Sequence, residues 1–427
     1  MKGKKEEKED SKSSSSSLTL PGGDIWYEIL SYVTLDDLLQ RCRWVCRDWK
    51  YLTYDSTFKR LHSQRTQSFS GYLIQYLKKH ENYPVLNYDT SFISSVATYP
   101  SSISLDFLPK SADAIIRVEA TSSQAEGLVC CLTYEPVLHP IRRYYVCKPL
   151  TRQWTQIPTP ITHCQTKRTA IVIKKSHPLH YKIIGLSWSS MKTRQIFHCE
   201  IFDSKNWEWT MYSKSMEYKD YTRLSISPEI FLHGSFHWLI NFEVDDRKEM
   251  LSFDVEKRNW SLYSLPQSQE EVKEAIIRDI KISLRPQGRV EVNCDLNVVN
   301  CEGNLGVLYH VSRLWMELWV MEDYLNKTWK KKFRVRLEPL KQIVGEYFVM
   351  AMDSMDMMLL QNGDKLISYN YTKGILTQVM EIEDLNICNP IFQFNSDNVD
   401  CYLGPPPKEY STEEETKENQ EQGTILA

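Results

Sequence analysis

The sequence lacks the segments that would direct it into or across a membrane. No run approaches the ~18 consecutive apolar residues of a membrane span. The N-terminus, MKGKKEEKED followed by SKSSSSS, has no apolar core of the kind that a signal peptide needs. The formal net charge is only −3, so no overall field attracts the chain to nucleic acid or to a membrane surface. We therefore expect the protein in the nucleus, the cytoplasm or both.

The eleven cysteines form no C-x-x-C pair. Cys130 and Cys131 are adjacent, and Cys42 and Cys46 are one helical turn apart. This scatter indicates buried thiols in a reducing compartment, because a disulfide framework or a zinc site requires paired spacings.

The common catalytic signatures are absent as well. The chain contains no G-x-x-x-x-G-K-S/T loop, no G-x-G-x-x-G, no H-E-x-x-H and no G-x-S-x-G. The nearest histidine pair, His177 and His180, has no carboxylate or thiol at metal-like spacing, so we expect both in a loop. The sequence predicts a non-enzyme with no metal and no cofactor.

Aromatic residues, by contrast, are abundant, with 12 Trp and 24 Tyr. They favour strands and carry much of the energy of protein interfaces. At 427 residues, the chain is long enough for one small module and one large domain.

The small module is helical and lies near the N-terminus. Asp24 can cap a first short helix, and Asp55 or Ser56 can cap a last one. Between them, apolar residues at steps of three and four predict one amphipathic helix; they are Leu35, Leu38, Leu39, Cys42, Val45, Cys46, Trp49 and Leu52. Trp26 and Trp44 lie off this pattern, so they either pack on the following domain or dock against a partner.

The rest of the chain repeats one pattern of strand, polar turn and return strand. Five stretches predict β-hairpins: Tyr144–Pro158, Phe197–Tyr212, Glu249–Pro266, Met316–Val335 and Lys365–Ile382. Further strand signals begin near Gly127, His180, Gly234, Gly303 and Ser354. Trp154, Trp207 and Trp260 recur every 53 residues (207 − 154 and 260 − 207), a period typical of kelch-like propeller blades. We therefore predict a β-propeller-like domain over 91–404.

One basic stretch, Lys327–Arg336, gathers six basic residues around aromatics. Such a composition occurs in nuclear signals and RNA-binding faces. Because the stretch overlaps the fourth hairpin, a solvated strand face is the main interpretation, and a localisation or partner patch is the alternative.

The N-terminal pattern resembles the F-box of plant proteins, over roughly Leu18–Thr66. The matching residues follow the order L-P, E-I-L, L-L, V-C-R-D-W, L, F and L-H, from Leu20-Pro21 to Leu61-His62. Thr34 stands where a proline often precedes the second helix, and threonine is a competent N-cap. The resemblance implies a three-helix module that binds a Skp-family adaptor and, through it, a cullin-RING ubiquitin ligase. The implied adaptor-binding residues are Leu20, Pro21, Ile25, Trp26, Ile29, Leu30, Leu35, Leu38, Leu39, Trp44, Val45, Cys46 and Trp49.

The hairpins are similar to those of the plant F-box-associated domain. "YYVCKPLTRQWTQIP" matches its first hairpin, with Lys148 in place of Asn at what we expect to be a turn position of small cost. The predicted fold class is therefore α+β multidomain: a small three-helix F-box followed by an all-β, kelch-like β-propeller. The predicted divisions are a disordered polar head (1–17), the F-box (18–66), a linker (67–90), the F-box-associated domain (91–404) and a disordered acidic tail (405–427).

These resemblances imply the substrate-recognition subunit of an SCF-type ubiquitin ligase, with an unidentified protein substrate held by the propeller. Propeller substrates usually meet loops on one rim or the channel mouth, where the sequence can vary without disturbing the blades. The insertion from Gln267 is one candidate region. The alternative function is a propeller scaffold or binding protein outside any ligase, whose helical front is only a structural cap.

Overall fold

The computed structural model of the protein describes most of the chain between residues 23 and 405. Within that range it leaves out 67, 81–82, 95–102, 112–113, 123–125, 136–140, 163–165, 192–193, 219–221, 225–228, 243–246, 267–293, 302, 312–314, 337–339, 341–343, 345–346, 353–355, 382–390 and 398. The polar head, the acidic tail and the insertion from Gln267 therefore lie outside the described residues. None of the helices found there has the length and apolar character of a membrane span.

The N-terminal module contains four α-helices and one 3-10 turn. The helices are α1 (Gly23–Leu30), α2 (Leu35–Gln40), α3 (Arg47–Leu52) and α4 (Ser56–Thr66), and the turn covers Cys42–Trp44. The prediction of one helix through Leu35 and Leu52 is wrong, because Cys46 adopts an extended backbone (φ −155°, ψ 169°) that ends the helical path. The apolar spacing continues across this break because α2 and α3 pack around the same core.

Side-chain caps fix two of these helix starts. Thr34 Oγ1 accepts a hydrogen bond of 3.1 Å from the backbone N–H of Asp37, which confirms it as the N-cap of α2. Asp55 Oδ1 accepts one of 2.7 Å from the N–H of Phe58 at the start of α4. Each bond satisfies a backbone donor that the helix itself leaves unpaired.

Six β-sheets follow, and they form the six blades of a β-propeller. Blade 1 contains β3 (Ile115–Thr121), β4 (Val129–Tyr134), β5 (Arg143–Lys148) and β6 (Gln153–Ile157); blade 2 contains β7 (Thr166–Lys175), β8 (His180–Met191), β9 (Arg194–Asp203) and β10 (Glu208–Tyr218). Blade 3 contains β11 (Thr222–Leu224), β12 (Ile230–Leu232), β13 (Ser235–Phe242), β14 (Lys248–Asp254) and β15 (Asn259–Ser264); blade 4 contains β16 (Cys294–Cys301), β17 (Asn304–Val311), β18 (Trp315–Asp323) and β19 (Thr328–Arg336). Blade 5 contains β20 (Phe348–Met352), β21 (Met357–Asn362), β22 (Lys365–Asn370) and β23 (Ile375–Glu381).

The five predicted hairpins are confirmed as the two outer strands of blades 1 to 5, all antiparallel. The further strand signals are confirmed as the second strand of each blade, namely β4, β8, β13, β17 and β21. The propeller prediction is thus confirmed with six blades, while its kelch-like type stays a prediction.

The sixth blade joins both ends of the propeller. It consists of β1 (Phe69–His80), β2 (Tyr83–Ser94) and β24 (Phe392–Ser396), in the order β2-β1-β24. The predicted linker over 67–90 is therefore wrong, since most of it forms strands. Phe69 pairs with Ser396, so the ring closes through a sheet built from distant parts of the sequence.

The core is distributed over the interfaces between neighbouring blades. One hydrophobic cluster lies at each of the six interfaces. Representative pairs, in order around the ring, are Val146 with Ile183, Ile201 with Phe236, Leu239 with Val307, Leu308 with Met358, Leu359 with Ile74, and Leu73 with Cys131. Each blade therefore buries both of its faces.

Tryptophan indoles also connect blades across two of these interfaces. Trp209 Nε1 donates to the carbonyl of Pro158 at 2.7 Å, and Trp329 Nε1 donates to the carbonyl of Ser264 at 3.3 Å.

Trp207, which gave the 53-residue period, is not the structural equivalent of Trp154 and Trp260, because it occupies the left-handed position of its turn (φ 57°). In the outer hairpins of blades 1, 3 and 4 that position is held by Arg152, Arg258 and Lys327, each two residues before its tryptophan.

Candidate functional site

The core of the helical module is small and fully formed. Leu30, Leu38 and Phe58 are almost completely buried and pack together, with Tyr27 edge-on to Phe58 at 5.2 Å between ring centroids. Leu35 is buried as well. The side chains of Leu30, Leu35 and Leu38 are enclosed and shape the module, and their contact with a partner stays a prediction.

Other predicted binding residues form an exposed apolar surface. Four large side chains are exposed by about half or more: Ile25 (62%), Ile29 (48%), Trp44 (67%) and Val45 (65%). Cys46 is exposed too, and Leu39 and Trp49 are half-buried. Leu20 and Pro21 lie outside the described residues. We use the name adaptor surface for Ile25, Trp26, Ile29, Trp44 and Val45.

The two off-pattern tryptophans have different surroundings. The ring of Trp26 packs on that of Trp49, with centroids 5.3 Å apart, and still leaves 43% of the residue exposed. Trp44 projects from the 3-10 turn, where the guanidinium of Arg43 lies 5.9 Å from its ring centroid. Neither indole is buried against the propeller, so both can meet a partner.

Sequence reasoning missed two tyrosines beside this surface, Tyr32 (64% exposed) and Tyr51 (44% exposed). Tyr32 follows Ile25 and Ile29 at helical steps of seven and three, a signal that the pattern contained. The guanidinium of Arg65 lies 4.4 Å from the Tyr32 ring centroid and pairs with Glu28 at 2.8 Å. This contact holds the ring in place at the edge of the module.

The adaptor surface is suited to binding by burial rather than to chemistry. Of eighteen exposed large hydrophobic side chains among the described residues, seven lie between Ile25 and Tyr51. Such a concentration marks an interaction site, because aromatic and aliphatic anchors dominate interface energy.

Another side of the module covers one mouth of the propeller channel, and Trp44 of the adaptor surface also lines the space between them. Gly303, in the β16–β17 turn, has φ +75°, and a Cβ atom there would lie 2.8 Å from the Tyr54 hydroxyl and 3.0 Å from Lys50. The neighbouring β12–β13 turn joins this contact, since the His233 ring bonds the carbonyl of Gly303 at 3.1 Å. The helices therefore rest on turns that connect inner strands.

Titratable groups elsewhere have structural partners. His180 begins β8 and pairs with Asp203 at 2.7 Å, with Lys182 on the same carboxylate at 3.3 Å, so the expected loop position of His180 is wrong. His177 lies in the preceding turn. Within the described ranges, no group of three His, Cys, Asp or Glu side chains is arranged to hold a metal ion.

The basic stretch forms β19, the outer strand of blade 4, with its charged residues exposed. Two of its basic residues form ion pairs with the buried carboxylate of Glu317: Lys331 at 2.8 Å and Arg334 at 3.5 Å. The solvated-face interpretation is thus confirmed for this strand, and the patch interpretation stays a prediction.

The propeller has a recognised family. Residues 91–394 match the model of the F-box associated beta propeller domain, which covers more than half of the chain. The chain belongs to this family. The match spans β3–β23 completely, and it begins and ends in the sixth blade.

Named relatives extend the similarity. The chain is 25% identical over 350 residues to F-box protein At5g49610 of Arabidopsis thaliana, covering 77% of this chain and 85% of that protein. It is 31% identical over 165 residues to F-box protein At5g41720 of Arabidopsis thaliana, covering 38% of this chain and 84% of the relative. A solved nidogen/laminin complex aligns at 8% identity with a TM-score of 0.37, covering 78% of this chain and 99% of the other. The prediction of a plant F-box protein with a C-terminal F-box-associated domain is confirmed.

Proposed function

We propose that this F-box protein is the substrate-recognition subunit of an SCF-type ubiquitin ligase. In this proposal the adaptor surface binds a Skp-family protein, which attaches the chain to a cullin-RING ligase, and the propeller selects a protein for ubiquitination. The chain itself catalyses nothing, and it works in the nucleus, the cytoplasm or both.

The concentration of exposed apolar side chains on the module carries this proposal. Ile25, Ile29 and Val45 are β-branched side chains without a partner cluster of their own, whereas the same helices bury Leu38 and Phe58 inward. Burial of one such aliphatic side chain stabilises a complex by about 1.5–3 kcal/mol. Two or three of them, with Trp26 and Trp44, suffice for a stable interface core.

Strand direction favours the opposite face of the propeller for the substrate. In each antiparallel blade, the first and third turns lie at one end, and the module rests on two such turns. The second turns and the connections between blades lie at the other end; they include Ile141 (71% exposed) and Ile161 (50% exposed). The insertion from Gln267 joins β15 to β16 at that same end. A substrate there would not compete with the module for space.

Calorimetric titration of the full chain with a purified Skp-family adaptor tests the proposal. Ile25→Asp/Val45→Asp should weaken binding at least 100-fold, since losing two buried aliphatic side chains costs about 3 kcal/mol or more and 1.4 kcal/mol is tenfold. Leu20→Ala/Pro21→Ala tests the remaining predicted anchors. The control is Ile375→Asp, which changes another exposed isoleucine (50%) on β23 and should leave affinity unchanged.

The scaffold alternative rests on the contact between the module and the channel mouth. If the helices serve only as a cap, the wild-type chain will not bind the adaptor at all. Tight binding that Ile375→Asp weakens as much as Ile25→Asp/Val45→Asp would also contradict the proposed surface.

A further inference from the structure

A partly enclosed space lies between the helical module and the channel mouth. Its volume is about 420 Å³, within the range of pockets that hold small organic molecules. The module contributes α2, α3, α4 and the 3-10 turn, and the propeller contributes the ends of its inner strands. We call this space the junction cavity.

Apolar side chains line the junction cavity on both sides, among polar ones. Leu38 and Phe58 line it from the module, and Val298, Val299 and Met350 line it from blades 4 and 5. When a ligand with an aromatic or aliphatic body binds, its apolar surface would therefore be removed from water on two opposite sides.

Charge in the cavity is one-sided. Arg43, Lys50 and Lys59 line it, and Glu229 is the single acidic residue among the described lining residues. Burial raises the pKa of Glu229 to about 8, although the positive charge of Arg168 acts in the opposite direction. Burial also lowers the pKa of His62 and of His233, which keeps both rings neutral. Basic side chains thus outnumber acidic ones among the described residues that line the cavity.

Arg43 is held ready to bind an acceptor. Its guanidinium lies 5.2 Å from the ring centroid of Tyr54, and its terminal nitrogen donates to the Tyr54 hydroxyl. Its Nε atom is buried and has no hydrogen-bond partner among the described residues. A buried donor without an acceptor is unfavourable, and an anionic ligand group would supply the acceptor.

We propose that the junction cavity binds a small amphipathic organic anion, a carboxylate, sulfonate or phosphate carried on an apolar body. Arg43 and Lys59 bind the anionic group, and the apolar walls enclose the body. Because both the module and the propeller line the cavity, such a ligand would strengthen the contact between them. This ligand is additional to the adaptor and to the protein substrate.

Fluorescence titration of the full-length chain tests the proposal with two probes that share their rings. Anilinonaphthalene sulfonate is an aromatic anion, and N-phenylnaphthylamine is its neutral counterpart. We expect one saturable site for the anion, with at least tenfold weaker binding in Arg43→Gln/Lys59→Gln. The neutral probe should bind both proteins within about twofold, because it makes no contact that depends on charge.

Three controls keep the result interpretable. Lys257→Gln/Lys330→Gln removes two exposed cations that do not line the cavity and should leave binding unchanged. Lys59→Gln alone preserves the contact between Arg43 and Tyr54, and circular dichroism verifies that each variant is folded. No saturable binding, equal anion affinity in Arg43→Gln/Lys59→Gln and wild type, or loss of binding in the surface variant Ile25→Ser/Tyr32→Ser would overturn the proposal.

Discussion

The ammonium group of Lys148 donates a hydrogen bond of 2.6 Å to the carbonyl oxygen of Val399, 251 residues later in the chain. The same group pairs with the carboxylate of Asp397, and the lysine is almost completely buried. The expectation of a turn position with small cost is therefore wrong, since Lys148 ends strand β5. It ties blade 1 to the segment that follows β24.

Replacing Lys148 by methionine should destabilise the propeller. The variant leaves Asp397, which is 25% exposed, without its cation. Loss of one partner costs 3–5 kcal/mol when both groups are buried, so we expect about 2 kcal/mol for this partly exposed pair. Urea unfolding measures the change. If Lys148→Met and Asp397→Leu are additive in the double variant, the two groups are not coupled and the prediction is contradicted.

Glu200 should prove necessary for the connection between blades 1 and 2. Its buried carboxylate accepts backbone hydrogen bonds from Ile161 and Thr162, each at 2.7 Å. Glu200→Gln places amide donors against one of these N–H groups, so we expect a loss of about 1–3 kcal/mol and faster proteolysis near Ile161. Glu208→Gln, an outward change on the adjacent β10, is the control. Equal proteolysis of the two variants would count against this anchoring role.

The indole of Trp209 should contribute to the contact between the same two blades. Trp209→Phe keeps an aromatic ring beside Phe202, now 5.6 Å away between centroids, but loses the hydrogen bond to Pro158. We expect the free energy of unfolding to fall by about 1 kcal/mol. Trp154→Phe, at a residue that is 44% exposed, should change it by less than about 0.5 kcal/mol. The reverse order would show that the hydrogen bond is unimportant.

The outer hairpins could be predicted from the sequence because their signal is local. Alternating apolar residues, a polar turn and a return strand all lie within about 20 residues of one another. The sixth blade could not be predicted, because β1 pairs with β24 and the register of Phe69 with Ser396 leaves no local pattern. Nor does spacing reveal that Trp207 adopts the left-handed turn conformation and that Trp209 is the structural equivalent of Trp260.

The candidate site was predictable only in part, for a similar reason. A helical period marks residues that share a face, but it does not say whether the face meets its own module or a partner. Leu38 and Val45 belong to one apolar pattern, yet the first is buried and the second is 65% exposed. The end of α2 at Gln40 and the 3-10 turn over Cys42–Trp44 lie between them, and the apolar spacing does not reveal this change of helix type.

Burial of His237 should make stability depend on pH. Burial lowers the pKa of its ring from 6.5 to about 4, and the ring contacts the Tyr263 hydroxyl at 2.8 Å. Between those two values the unfolded chain binds more protons there than the folded chain, so stability falls as the pH decreases.

The expected size of this contribution is about 2 kcal/mol between pH 7 and pH 5. Urea unfolding of wild type and His237→Gln at both pH values isolates it, because other titrating groups are common to the two proteins. The variant should be less stable at pH 7 and lose less stability on acidification. Identical losses in the two proteins would mean that His237 is protonated equally in both states.

Phe58 should be essential for adaptor binding although it touches no partner. Its ring is completely buried and packs with Leu30 and Leu38 in a small core, so its removal costs about 3–5 kcal/mol. A core this small cannot absorb such a loss. Phe58→Ala should therefore abolish adaptor binding in calorimetry while near-ultraviolet circular dichroism still reports a folded propeller. Gln64→Ala, an exposed change on the same helix α4, should bind normally. Normal binding by Phe58→Ala would imply that the adaptor recognises a segment independent of the helical core.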